Sequence, residues 1–355
     1  MVQNTSFFPP IYFGIDALKS CNEWLQEKSS DFSKVFILVD ENTQQFCLPA
    51  FLGSIPAISD YELLEIPFGE ESKSLAIADQ LWRVLLELGA DRKALLINLG
   101  GGVVSDLGGF VAGTYMRGIE YINVPTSLLA QVDASAGGKT GLDLGVVKNA
   151  VGLFNSPAAV FVFPEFISTL HPEEIKSGYA EILKHGLIAE ADHFFHAMEE
   201  PELGSDSFIT LIGKSIEIKN SIVVEDPLEA GRRKVLNFGH TVGHALESFM
   251  MNTDRPISHG EGVAAGMIVE TVLSLHHNGL SQKEADGILQ ALHALYGQLP
   301  VSSDYIPDLL DLMTKDKKNT KGKLKFSLLQ EIGKCSFDVE VSKDSVREVL
   351  TEYCV

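Results

Sequence analysis

The segment ALLINLGGGVVSDLGGFVAG (94–113) constrains this chain more than any other. An apolar run of strand length leads straight into Gly100-Gly101-Gly102, and a small-residue helical pattern follows. A strand that is apolar on both sides belongs in a parallel sheet covered on both faces. Glycine lets the backbone approach an anion closely, and a helix starting there presents unpaired N–H groups to it. The spacing GGGVVSD departs from the GxGxxG fingerprint, so by itself it is equally compatible with a tight strand-to-helix turn.

Neighbouring segments repeat the alternation. SKVFILVDEN reads as a buried strand ending at Asp40, and SLAIADQLWRVLLELGA reads as a helix that stops at Gly89. YINVPTSLLAQVD reads as a further strand turning at Pro125. Strands alternating with helices predict a parallel α/β sheet. Beyond about residue 165 the pattern becomes helical: EEIKSGYAEILKHGLIAEADHFFHAMEE, SFITLIGKSIEIKNSIVVED, GHTVGHALESFM, GEGVAAGMIVETVLSLHHNG and QKEADGILQALHALYG. KLKFSLLQEIGKCSFDVEV alternates like a short hairpin, and KDSVREVLTEY predicts an exposed final helix.

At 355 residues the chain has room for two domains or three. Against 28 Lys and Arg stand 48 Asp and Glu, a net charge of −20. That balance argues against general nucleic-acid binding and against docking on an anionic membrane, while leaving room for a basic pocket. The N-terminus lacks the charge and apolar pattern of a signal peptide, and no stretch is apolar enough to span a membrane. Cys21, Cys47, Cys335 and Cys354 are scattered, which fits free thiols in a reducing cytoplasm.

Three regions carry candidate chemistry. Asp40 ends a strand where a carboxylate can meet a ribose hydroxyl, and Gly69-Glu70-Glu71-Ser72-Lys73 forms a polar loop after another apolar stretch. Together with the glycine turn they suggest a dinucleotide site. Gly137-Gly138-Lys139-Thr140 resembles the end of a P-loop, but Val132 stands where the leading glycine belongs. This segment is either an anion-binding turn or a solvated loop. In the helical half, Glu181 and Lys184 share a helix face, His240 and His244 stand one turn apart, and His259 begins a helix. Two imidazoles one turn apart can share an ion. HTVGH lacks the glutamate of HExxH, and one Glu with two His matches a catalytic zinc site with an open position. His193, His196, His276, His277 and His293 read as structural.

Six blocks then occur in order: GGGVVSDLGGFVAGTYMRG, VPTSLLAQVDASAGGKTGLDLGVVKN, GYAEILKHG, LNFGHTVGHALE, SHGEGVAAGM and DKKN. Together they resemble the 3-dehydroquinate synthase family of sugar-phosphate cyclases, over roughly residues 35–330. The resemblance implies a Rossmann-like α/β NAD-binding domain (1–160) and an all-α, metal- and substrate-binding domain (161–355), with the active site in the cleft between them. It also implies a homodimer. The implied metal ligands are Glu181, His240 and His259, holding zinc or cobalt, which moves His244 into the substrate pocket. The implied NAD contacts are Asp40, Glu70, Lys73, Gly101, Gly102, Asp106, Thr126, Ser127, Lys139, Lys148 and Thr169; Ser127 stands where many relatives have threonine. The implied substrate contacts are Asp133, Lys139, Lys148, Asn149, Lys184, Lys219, Glu229, Arg233, Asn237, His244 and Lys317, with Arg117 reaching toward the neighbouring protomer's site.

The implied reaction converts 3-deoxy-arabino-heptulosonate 7-phosphate into 3-dehydroquinate and phosphate. It runs by transient oxidation, phosphate elimination, reduction, ring opening and aldol closure, and it serves the shikimate pathway. A substrate with a carboxylate and a phosphate needs two groups of cations, which the lysines and Arg233 supply. Three rival readings remain. A cyclase for a carboxylate-free sugar phosphate would need different cations. A glycerol dehydrogenase-type alcohol dehydrogenase usually carries aspartate where Glu181 stands. A non-catalytic binding module need not keep both residue sets.

Overall fold

A computed structural model describes residues 9–145, 147–251, 253–315 and 324–354. Contacts divide the chain into two compact units, Met1–Ile175 with Glu202–Ile216, and Lys176–Pro201 with Glu217–Val355. The division thus falls beyond the expected 160/161, and the first unit also takes in a later helical piece.

The first unit contains β1 (Ile11–Phe13), α1 (Ala17–Glu27), β2 (Lys34–Asp40), α2 (Glu41–Phe46), α3 (Leu48–Ser54), β3 (Glu62–Ile66), α4 (Leu75–Glu87), β4 (Ala94–Gly100), α5 (Gly102–Thr114) and β5 (Glu120–Pro125). A hairpin follows, β6 (Lys139–Leu144) with β7 (Val147–Phe154), and then β8 (Val160–Val162). Six strands form one parallel sheet in the order β1-β8-β5-β4-β2-β3. Alternate side chains of the strands go to opposite faces. Ile37, Val39, Leu95, Ile97 and Leu99 pack with Leu18, Trp24 and Phe51 of α1 and α3. Phe36, Leu38 and Leu96 pack with Leu81 and Leu85 of α4 and Leu107 of α5. This two-sided cover explains why β4 is buried along its whole length. Each such Leu or Ile contributes about 1.5–3 kcal/mol when buried. The α/β expectation for this half is met by that layered sheet.

Next come α6 (Pro172–Ala189), α7 (Ala191–Met198), α8 (Asp206–Glu225), α9 (His240–Met250), α10 (His259–His277), α11 (Gln282–Tyr296), α12 (Ile306–Lys315), β9 (Leu324–Glu331), β10 (Lys334–Val341) and α13 (Lys343–Tyr353). The single helix expected over 173–200 is two. Glu190 takes an extended conformation between them, and a Cβ on Gly186 would lie 2.4 Å from the Phe194 nitrogen. The chain folds back tightly there, so continuous periodicity misled. Among the described residues the second unit is helical with one antiparallel pair, β9–β10, the hairpin that the sequence predicts within the helical half. The final helix is not simply exposed: Val346, Val349, Leu350 and Tyr353 are buried.

Candidate active site

The glycine turn sits where a parallel sheet places ligands, at the carboxyl ends of adjacent strands. Asp40 ends β2, Gly100 ends β4 and Thr126 follows β5. α5 starts at Gly102, and among the described residues no side chain caps its first turn, which leaves N–H groups for an anion. A Cβ on Gly101 would lie 3.2 Å from Ser127 Oγ, and one on Gly102 would lie 3.3 Å from the Ala134 Cβ. The turn is therefore a close-fitting cradle. Asp40 is held by a reciprocal cap: its Oδ1 accepts from the Thr43 N–H at 2.7 Å and from Thr43 Oγ1 at 2.9 Å. That bonding orients the carboxylate at the strand end.

Around this cradle the polar loop closes a charged network. Lys73 Nζ, nearly buried, lies 2.7 Å from Asp106 Oδ2 on α5 and 3.8 Å from Glu70 Oε1. Lys148 Nζ lies 3.3 Å from the same Glu70 oxygen. Burial opposes the charge on Lys73, but Asp106 and Glu70 outweigh it and raise its pKa above the ordinary lysine value. The hairpin is tied in through Asp143, whose N–H donates to the Lys73 carbonyl at 2.9 Å and whose Oδ1 accepts from the Asn149 N–H at 2.7 Å. Asp143 thus fixes the hairpin backbone at Asn149 to the loop that carries Lys73. Lys139 opens β6 and is exposed, whereas Thr140 is buried, so GGKT is the entry to a strand rather than a solvated loop. Asp133 lies in the helical turn Ala130–Ala134. Thr169 lies beside Cys47, and Arg117 is exposed on the turn before β5 with φ +71°.

In the second unit, Glu181 is fully buried on α6. Its Oε1 lies 3.5 Å from His240 Nε2 and 3.7 Å from His259 Nε2, while its Oε2 contacts Lys184 Nζ one turn along the same helix. Ligand atoms of Glu181, His240 and His259 come within 4.8 Å of one another, a spacing that can hold a metal ion. The far ring nitrogens are engaged: His240 Nδ1 donates to the Phe238 carbonyl at 3.2 Å, and His259 Nδ1 to Glu247 Oε2 at 3.3 Å. Such bonds set the tautomer that aims Nε2 at a metal, so the donor set fits one. Burial, then the Lys184 charge, pushes the His240 pKa well below the usual value. For His259 burial acts the same way, but Glu181 and Glu247 outweigh it and raise the pKa to about 9. His244, one turn along α9, stacks edge-on with His240 at 5.0 Å between ring centres.

Lys184 and Lys219 are buried lysines on α6 and α8. The loop before α9 organises three more expected residues. Asp226 accepts the N–H groups of Ala230, Gly231 and Arg233, the last at 3.0 Å. Buried Arg233 donates from Nη1 to the Pro227 carbonyl at 2.6 Å, and Asn237 Nδ2 donates to Glu229 Oε1 at 2.8 Å. Asp226, Glu247 and Glu270 were missed by sequence reasoning because a lone carboxylate on an ordinary helix or loop carries no motif. Lys317 lies outside the described residues.

Comparison with known proteins resolves the family. Models of the 3-dehydroquinate synthase N-terminal and C-terminal regions match residues 63–177 and 178–319. The 3-dehydroquinate synthase of Parabacteroides distasonis is 40% identical over 92% of this chain and 92% of its own. The chain belongs to the 3-dehydroquinate synthase family. Its fold is close to a solved 2-deoxy-scyllo-inosose synthase complexed with carbaglucose-6-phosphate, NAD+ and Co2+, at TM-score 0.85 and 25% identity over 97% of this chain and 96% of that one. A probable glycerol dehydrogenase from Sinorhizobium meliloti shares the fold alone, at TM-score 0.62 and 14% identity over 97% and 96% of the two chains. The dehydrogenase reading is accordingly not favoured. Among the described residues no helix is long and apolar enough to cross a membrane.

Proposed function

We propose that this chain turns 3-deoxy-arabino-heptulosonate 7-phosphate into 3-dehydroquinate and phosphate, with NAD regenerated in each turnover. The observation that carries this reading is the Glu181–His240–His259 cluster with both histidines tethered through their far nitrogens. These three residues would hold zinc or cobalt. Gly101, Gly102, Thr126 and Ser127 would hold the NAD diphosphate, Asp40 a ribose, and Glu70, Lys73, Asp106 and Thr169 would shape the remainder of that site. When bound, NAD supplies a hydride acceptor and the metal a Lewis acid for an oxygen that gains negative charge.

The chain's own residues bind and orient. Lys184, held beside Glu181, and the buried Lys219 and Arg233 carry positive charge for the two anionic ends of the substrate. Lys139, Lys148 and Lys317 add to that charge, and Asp133, Asn149 and His244 supply hydrogen bonds to its hydroxyls. Glu229 takes an amide hydrogen of Asn237 and so orients that side chain for a substrate hydroxyl. The proton on C6 leaves with the phosphate from C7, and the departing phosphate is basic enough to receive it. The side chains therefore work mainly by positioning and charge stabilisation. The same reading includes a homodimer in which exposed Arg117 serves the partner's site, and a cytoplasmic setting consistent with four free cysteines.

The test offers the protein, in separate reactions, the heptulosonate phosphate, sedoheptulose 7-phosphate and glucose 6-phosphate, and measures phosphate release. Release from the first alone is expected, because a site built for a buried charge rejects substrates that lack it. Equal release from a carboxylate-free sugar phosphate would move the chain to another cyclase activity.

A further inference from the structure

The helices α9 and α10 meet backbone to backbone in an antiparallel crossing. A Cβ on Gly266 would lie 1.8 Å from the Gly239 carbonyl oxygen, and one on Gly243 would lie 2.7 Å from the Gly262 carbonyl oxygen. Each helix begins with one of the two histidines that face Glu181 Oε1, His240 on α9 and His259 on α10. Each also carries a buried carboxylate on its contact face. Glu247 follows His240 by two turns, and Glu270 follows His259 by three.

The two carboxylates reach across the crossing in opposite directions. Glu247 of α9 accepts from His259 Nδ1 at 3.3 Å. Glu270 of α10, wholly buried, accepts the Gly239 N–H at 2.7 Å with Oε2 and the Val242 N–H at 3.2 Å with Oε1. These N–H groups flank His240 and belong to the start of α9, where a negative charge is favoured by the unpaired donors and the helix dipole. Gly239 adopts φ +80°, so the chain enters α9 through a left-handed turn that the Glu270 bond holds in place.

We propose that Glu247 and Glu270 are reciprocal positioning residues for the metal centre, each carried on one helix and fixing the metal-facing histidine of the other. This rests on the metal reading above. Neither carboxylate belongs to the Glu181–His240–His259 set. Glu247 acts on the ring orientation of His259, and Glu270 acts on the backbone that carries His240. A cation then meets a triangle already assembled, and the helix crossing and the metal affinity become coupled quantities.

The experiment uses the full chain stripped of metal by a chelator and titrated with Co2+ against a competing chelating dye, with the visible d–d spectrum recorded. Glu247→Gln, Glu247→Ala, Glu270→Gln and Glu270→Ala are compared with the unmodified chain. Loss of a group that orients a metal ligand typically weakens binding ~10–100-fold, and a loss in that range is expected for each Ala variant with a smaller one for Gln. An altered cobalt spectrum is expected with it, a readout that a purely structural role leaves unchanged. In a variant carrying both Glu247→Ala and Glu270→Ala the losses should fall short of multiplying, because both act on one triangle. Unchanged Co2+ affinity and spectrum in the variants overturns the proposal. So does a lowered Tm with a wild-type spectrum, or failure of both Glu270 variants to fold, since either makes the group structural. Failure of the unmodified chain to take up Co2+ at all removes the metal reading itself, a distinct outcome.

Discussion

Changing Gly266 to alanine adds one methyl where α10 lies against the backbone at the start of α9. Its Cβ would stand 1.8 Å from the Gly239 carbonyl oxygen, where ordinary contact begins at 3.4 Å, so one helix must retreat by about 1.6 Å. The obstacle is backbone on both sides, and no side chain can rotate away. Overpacking of this kind costs up to about 3 kcal/mol, while alanine recovers about 1 kcal/mol in helix propensity. The net loss is about 2 kcal/mol, and for a unit of this size a Tm lower by about 4–8 °C. Gly287→Ala is the matched control. It lies in α11, exposed, with nothing within 4 Å of the added methyl, so the same chemical change should stabilise by about 0.5–1 kcal/mol. Thermal unfolding followed by circular dichroism reads both variants side by side. Metal binding should weaken in Gly266→Ala alone, because donor positions tolerate only about 0.2 Å. A Gly266→Ala protein that melts with the wild type, or above it, refutes the claim that the crossing is set by backbone contact.

Further outcomes follow from the same geometry. Chelation should abolish turnover, and zinc or cobalt should restore it, measured as phosphate release. Arg233→Ala and Lys139→Ala should each lower kcat/KM by about 100-fold, the value of a hydrogen-bonded charge, while circular dichroism stays native; unchanged kcat/KM would remove both from the site. Lys73→Met should weaken NAD binding and lower Tm, because it removes the 2.7 Å partner of Asp106 from a nearly buried position; calorimetric titration with NAD checks the first effect. Gly101→Ala should weaken NAD binding while changing Tm little, since its Cβ would crowd only Ser127 Oγ.

Much of this was legible in the sequence wherever one element carries its own pattern. β4 is buried throughout and its apolar run announced that, and the Gly100–Gly102 turn announced a helix start. Glu181 with Lys184, and His240 with His244, were visible because they share a helix face. The joining of Glu181, His240 and His259 was carried only by the family resemblance, because three separate helices supply them and no spacing within one segment encodes their meeting. Spacing alone favoured His240 with His244, whereas the structure turns His240 and His259 toward one glutamate oxygen. The break at Glu190 was hidden for a similar reason, since the close packing of Gly186 on Phe194, not the local periodicity, ends the helix. Glu247 and Glu270 read as ordinary helix glutamates until the crossing of α9 and α10 gives each a partner on the other helix.

The central claim is that this chain runs a redox-neutral, metal-dependent cyclisation. A single reaction with 3-deoxy-arabino-heptulosonate 7-phosphate tests it most directly, with phosphate, 3-dehydroquinate and NADH absorbance followed together. Equal amounts of phosphate and 3-dehydroquinate, no accumulating NADH, and complete loss of both products under chelation are the predicted result. Steady growth of NADH, or undiminished product after the metal is removed, would contradict it.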